Sequence, residues 1–482
     1  MNPTAPSPHH TALYIGGRWQ PATAFQPIVN PATEEVLATA PTGTADDMDR
    51  AVAAARTAFD SGPWPRLHVR ERVEVLQSVL DRYRAHTVEL AELLTSEMGS
   101  PITFSKNVQI PIAQMILEYF IGLAADYEFE EQRTGRSLPT TVIKEPVGVV
   151  AAIAPWNFPQ ALMMMKVAPA LLAGCSVVAK PSPETALDAL ALAAIFDEAG
   201  LPEHVLSVVP AGREAGAHLV ANAGVDRVSF TGSTAAGRQV AEVCGRDLRR
   251  CTLELGGKSA LILLDDVDMQ AALHTIRDHG FRNSGQTCTN QTRILVPRSR
   301  RDEMVDAICE LVGSMQVGDP TDPATEVGPM VTAAHRDRVE RYIQLGQHEG
   351  ARVAVGGRRP AGLATGWYVE PTVLVDVHND MRFAREEIFG PVVGILDYDD
   401  VDEAVAITND SDYGLSAGVF GGDVERADAV ARRIRSGMVI VNGQGGSFDG
   451  PFGGFKSSGI GRECGREGLE AFLEPKQLPL HS

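Results

Sequence analysis

The sharpest chemical feature of the sequence is Asn283-Ser284-Gly285-Gln286-Thr287-Cys288-Thr289, a cysteine in a glycine-containing loop behind an apolar helical stretch. Such a thiol can face a cleft and, once deprotonated, attack a carbonyl carbon; taken alone, a buried structural cysteine is the favoured account. Upstream, Leu253-Glu254-Leu255-Gly256-Gly257-Lys258 sets a carboxylate in apolar surroundings ahead of two glycines. Burial would raise its proton affinity and suit it to general-base work, with a capping or salt-bridged glutamate as the plainer alternative. The glycines imply a close backbone approach. Pro155-Trp156-Asn157-Phe158-Pro159 places a side-chain amide after an apolar run, where it could donate to a developing oxyanion or satisfy a turn. Lys180-Pro181-Ser182-Pro183 offers a lysine to ribose hydroxyls or phosphate, or to solvent. In Val228-Ser229-Phe230-Thr231-Gly232-Ser233-Thr234 a strand runs into a helix whose N-terminus can hold a phosphate. A plain capped turn would look the same, and no GxGxxG occurs. The absence of HExxH, clustered histidines and paired cysteines gives no indication of a metal.

These residues need elements to position them. The spacing predicts a hairpin at 14–19, a turn at 27–33, and helices at 45–59, 69–97 and 113–127, with Gly99-Ser100-Pro101 stopping the second. From residue 147, short apolar runs at 147–153, 176–179, 205–209 and 228–230 alternate with helical patterns at 163–172, 184–199, from 214, and at 234–243. That alternation predicts a doubly wound parallel sheet with ligands at the carboxyl ends of its strands. A second alternating segment spans 260–455, with helices at 269–281, 301–315 and 333–349.

The 482 residues imply two or more domains. A formal charge of -19 disfavours nucleic acid. The longest apolar stretch, 167–179, is interrupted by Pro169 and Gly174, so no membrane span is expected. The first ten residues are expected to fray and do not resemble a signal peptide, so a cytoplasmic location is expected. Six scattered cysteines argue against a disulfide framework.

Taken together, PWNFP at 155–159, KPSP at 180–183, FTGST at 230–234, ELGGK at 254–258, GQTC at 285–288, EEIFGP at 386–391 and PFGGFK at 451–456 resemble the aldehyde dehydrogenase superfamily, over about residues 14–472. The resemblance implies an α/β protein. A Rossmann-like dinucleotide-binding domain would comprise 1–126 and 147–256, and a catalytic domain 257–471. A small oligomerisation sheet, 127–146 with 472–482, would support a homodimer or homotetramer. Pro475 and Pro479 are expected to weaken strand pairing in that tail. By resemblance, Cys288 is the nucleophile, Glu254 the base, Asn157 an oxyanion donor, and Lys166 and Glu463 a proton relay. NAD, with NADP left open, would contact Ile153, Trp156, Lys180, Gly212, Gly216, Phe230, Gly232, Ser233, Leu255, Glu387 and Phe389. Phe158, Leu162, Met165, Thr287, Thr289, Gly446 and Phe452 would line a funnel suited to a medium-chain, terpenoid or aromatic aldehyde. Pro183 stands where many NAD-preferring relatives carry glutamate, and Glu184 follows it. Glu254 argues against a coenzyme-A-acylating enzyme, and Cys288, Glu254 and Asn157 together against a silent scaffold. A cysteine hydrolase would need a histidine partner, and none is near Cys288 in sequence.

Overall fold

The computed structural model describes residues 11–136 and 138–479; the expected fraying of residues 1–10 lies outside them, as do the outer ends of the 1–126 and 472–482 segments. An eight-stranded sheet runs in the order Gly459–Ile460, Arg250–Glu254, Arg227–Thr231, Val149–Ile153, Ser176–Lys180, Leu206–Val208, Ala12–Ile15, Arg18–Pro21. Its five central strands are parallel, and four of them are buried throughout, as expected of a sheet covered on both faces. Helix Pro159–Ala173 is buried at all of its 15 positions, so its one charged residue, Lys166, requires a buried partner.

A seven-stranded sheet runs Arg352–Val355, Thr372–Val375, Val392–Tyr398, Gln291–Pro297, Ser259–Leu263, Ser416–Phe420, Met438–Val441, and a three-stranded one Leu473–Pro479, Thr140–Pro146, Glu130–Arg133. Phe25–Val29 pairs with Val36–Pro41 in a hairpin.

Five expectations change. The predicted helix 69–97 is two helices, Val69–Ala85 and Thr87–Met98, broken at His86, whose N–H bonds back to the Tyr83 carbonyl. The apolar period runs through the break because both halves face one core. Arg250–Glu254 is a strand that the polar Arg250 and Thr252 concealed; neighbours on both sides hold it. Gly459–Ile460 pairs with this strand, inside the dinucleotide-side sheet, although the expected boundary set 257–471 apart. Leu473–Pro479 pairs over its full length with Thr140–Pro146 despite its prolines. Lys144 donates its N–H to Phe129 on the far side. Its partner Pro475 therefore points its nitrogen to the open edge, and Pro479, four residues on, does the same. Although no membrane span was expected, the helical stretch Ile102–Asp126 is long and apolar enough by length and composition to cross a membrane. Here it packs against Pro159–Ala173 and Val69–Ala85, with Ile116, Leu117 and Phe120 fully buried.

Candidate active site

The strand order reverses between Val149–Ile153 and Arg227–Thr231, which opens a crevice at their carboxyl ends. Register aligns Ile153 with Lys180 and with Phe230, and Thr231 with Glu254. Residues far apart in sequence thus share one rim.

Cys288 follows a backbone turn in which Asn283, Ser284 and Gly285 all have positive φ, 54°, 56° and 78°. At Gly285 a Cβ would lie 2.0 Å from the Gly390 carbonyl carbon, so only glycine fits. The buried Asn283 amide donates to the Asn157 carbonyl at 2.9 Å, and the Asn157 amide donates to the Gln286 carbonyl at 3.1 Å. The oxyanion candidate and the thiol loop are therefore cross-braced, and one N–H of Asn157 is left for a ligand. Gln109 reaches Asn283 from the opposite side at 3.4 Å. The two glycines after Glu254 are explained by close approach. A Cβ at Gly257 would lie 2.6 Å from the Cys288 carbonyl oxygen, and one at Gly256 2.5 Å from the Glu387 carboxylate.

Burial, then the Glu387 and Glu254 carboxylates, pushes the Cys288 thiol up to about 12. Glu254 is 2% exposed and neither of its carboxyl oxygens has a partner. Burial, then Glu463, holds its carboxyl well above the usual range, against Lys166 and Arg462. The thiol thus rests protonated, close to a carboxylate with raised proton affinity. Behind them, Lys166 donates to Glu463 at 2.5 Å and to Thr231 at 2.7 Å, and Ser229 donates to Glu463 at 3.0 Å. The second Glu463 oxygen has no partner.

On the other side of the crevice, Lys180 donates to the Ala211 carbonyl at 2.7 Å, and burial lowers it to about 8. Its stem covers Gly216, where a Cβ would lie 3.2 Å from the Lys180 Cδ. Gly212 caps helix Arg213–Ala221 without a side-chain bond and faces open space, so that helix's first N–H groups are free. The Phe230 ring fills the place a Cβ would take at Gly232. Ser233 uses its hydroxyl to cap helix Thr234–Arg246, and Leu255 packs under Gly237. Glu387 accepts the Gly257 N–H at 3.0 Å, and burial raises its carboxyl. Ser182 donates to the Glu184 carboxylate.

Phe158, Leu162 and Met165 lie in one apolar cluster, with Phe452 packed against it. Thr287 donates to the Arg282 carbonyl, and Thr289 is half-buried. Gly446 is exposed in a loop, where a Cβ would meet the Met438 sulfur.

Sequence reasoning missed several supports. His335 faces the Phe389 carbonyl at 2.6 Å and forms an aromatic triad with Trp156 and Phe389, centroids 5.4–5.9 Å apart. Burial lowers His335 to about 4, so it is neutral. Arg338, one turn on, donates to the Glu387 carbonyl at 2.5 Å. Their i, i+3 spacing was the available signal. Gln109, which reaches Asn283, and Phe104, whose ring meets Phe158 edge-on at 5.9 Å, were also passed over; only the fold brings them here.

The sequence model of the Aldehyde dehydrogenase family matches residues 19–478. The geranial dehydrogenase of Castellaniella defragrans is 47% identical over 98% of this chain and 99% of its own. A 3-succinoylsemialdehyde-pyridine dehydrogenase of a Pseudomonas species is 43% identical over 97% and 98%. Among solved structures, a Mycobacterium tuberculosis aldehyde dehydrogenase complexed with NAD+ superposes with a TM-score of 0.96 at 46% identity, covering 98% of each chain. A Pseudomonas syringae aldehyde dehydrogenase C mutant with NAD+ and octanal gives 0.95 at 41%, covering 99% of each. The matching family model and these relatives define an oxidoreductase acting on the aldehyde group. The chain belongs to the aldehyde dehydrogenase family.

Proposed function

We propose that this chain oxidises an apolar aldehyde to the free acid with NAD, through a covalent intermediate on Cys288. The observation that carries this reading is the grouping of a braced thiol loop, a tethered Asn157 amide and an unpartnered Glu254 at one strand rim. Cys288 passes its proton to Glu254 as the sulfur attacks. Asn157 and the Cys288 N–H then stabilise the thiohemiacetal oxyanion, a donor of this kind supplying about 3 kcal/mol. In the second half Glu254 activates water to hydrolyse the thioester, and Glu463 with Lys166 carries the proton onward.

The residues fit a dinucleotide. Free N–H groups after Gly212 and the cap of helix Thr234–Arg246 suit the diphosphate, while Lys180 and Glu387 suit ribose hydroxyls. When bound, NAD+ supplies the hydride acceptor and a positive charge. The neighbours solved with NAD+ support that cofactor. Glu184 adds a negative charge beside Ser182, which disfavours the extra phosphate of NADP.

Phe158, Leu162, Met165 and Phe452 offer no positive charge to a carboxylate-bearing substrate. The relatives tied to geranial and octanal accord with a medium-chain, terpenoid or aromatic aldehyde; the succinoylsemialdehyde-pyridine relative supports a semialdehyde as the second reading. A homodimer or homotetramer in the cytoplasm completes the proposal, with the three-stranded sheet as its bridge.

The test is reduced-nicotinamide formation from NAD with octanal, geranial and succinic semialdehyde, without coenzyme A. The wild type should turn over the first two best and Cys288→Ala none. Succinic semialdehyde as much the best substrate would overturn the substrate class, and equal rates for Cys288→Ala would overturn the mechanism.

A further inference from the structure

Helix Ala333–His348 opens on Thr332, whose hydroxyl accepts the His335 N–H at 3.1 Å. His335, Arg338, Val339 and Tyr342 fall at i, i+3, i+4 and i+7, so they share one face of it. That face meets the segment from Glu386 to Gly390 almost residue by residue. Tyr342 donates its hydroxyl to the Glu386 carboxylate at 2.7 Å. Arg338 donates to the Glu387 carbonyl at 2.5 Å and to the Ile388 carbonyl at 3.4 Å. His335 Nε2 lies 2.6 Å from the Phe389 carbonyl oxygen, which can only accept, so Nε2 carries the proton. A Cβ at Gly390 would lie 2.5 Å from Val339 Cγ2. Phe389 needs such a template. Its φ is 67°, in the left-handed region that a side chain disfavours, and strain of this kind persists only where neighbours impose it. Besides bonding the Phe389 carbonyl, His335 packs its ring edge-on against the Phe389 ring at 5.9 Å and against the Trp156 ring at 5.4 Å. The held segment lies at the reacting end of the crevice. Glu387 accepts the Gly257 N–H, a Cβ at Gly257 would lie 2.6 Å from the Cys288 carbonyl oxygen, and one at Gly285 2.0 Å from the Gly390 carbonyl carbon.

We propose that His335 is a positioning residue for the nicotinamide half of the cofactor. Through the Phe389 carbonyl it fixes the left-handed turn that sets the Phe389 ring and the Glu387 carboxylate toward the bound dinucleotide. Resting on the proposed contact of Glu387 and Phe389 with NAD, this role concerns the half beside the thiol. The adenosine half, on the Lys180 side of the crevice, is held without His335.

Calorimetric titration of the full-length protein with NAD+ and with ADP, which lacks the nicotinamide half, separates the two sides. In His335→Ala the NAD+ affinity should fall roughly 10-fold or more, as expected for loss of one buried hydrogen bond, with ADP affinity unchanged. His335→Gln keeps an N–H donor at similar reach and should recover most of the loss, which a ring that only filled space would not allow. Unchanged NAD+ affinity in His335→Ala, an equal loss for ADP, or no recovery in His335→Gln would each overturn the proposal. Glu387→Gln, expected to weaken NAD+ and spare ADP, tells two failures apart. If it weakens NAD+ while His335→Ala does not, the positioning role alone is lost. If it leaves NAD+ affinity unchanged, the contact on which that role rests is lost as well.

Discussion

Asn283→Ala isolates what braces the thiol loop. Asn283 is 3% exposed, sits at φ 54°, and gives its amide to the Asn157 carbonyl at 2.9 Å. Gln109 keeps a second partner in Ser100, and the Gln286 carbonyl keeps Asn157, so Asn157 is the group left short. Losing one buried hydrogen-bond donor costs about 1–3 kcal/mol. Holding alanine in the left-handed region adds about 1 kcal/mol, for a total of roughly 2–4 kcal/mol of stability. Freed at its backbone, the Asn157 side chain drifts from the oxyanion position, and a displacement near 1 Å costs about 10²-fold in rate. The assay is kcat and KM with octanal alongside thermal unfolding, for Asn283→Ala and Asn283→Gly. Glycine tolerates the backbone conformation, so it should recover about 1 kcal/mol of stability and none of the rate. Wild-type kcat in either variant would refute the brace.

Three further outcomes follow from the same geometry. Glu254→Gln should slow both the first release of reduced nicotinamide and the steady turnover, the latter by about 10²–10⁴-fold; undiminished steady turnover would remove Glu254 as the base. Because folding raises the Glu254 carboxyl, its neutral form is favoured in the native state, and that stability is lost as pH rises through the folded value. Glu254→Gln should therefore unfold at a higher temperature than the wild type near pH ~8, with the gap closing toward pH ~5; a gap that widens on acidification would contradict the sign. Gly256→Ala forces Glu387 off the Gly257 N–H, a charge-assisted bond worth about 1.5–3 kcal/mol, so KM for NAD should rise roughly 10–150-fold with kcat little changed, and unchanged NAD affinity would exclude Glu387 from cofactor binding.

The motifs, the parallel strands from 147 to 230 and the helices that separate them were legible in the sequence, because period and glycine placement report local geometry directly. Cys288, Glu254, Asn157 and Lys180 could be singled out by residue type and context, Glu387 only through the family resemblance of its motif, and the need for close backbone approach at Gly256 and Gly257 was equally readable. What those glycines approach was not legible: the Glu387 carboxylate and the Cys288 carbonyl come from distant segments and meet only after two sheets assemble. The same holds for Asn283 beneath Asn157, for His335 behind Phe389, and for Glu463 against Lys166, contacts that span 54 to 297 residues of chain. The tertiary structure also decided the paired tail Leu473–Pro479, where residue preference alone argued against a strand. A proline costs a ladder bond only if its nitrogen faces a partner, and the register turns both of these to the open edge.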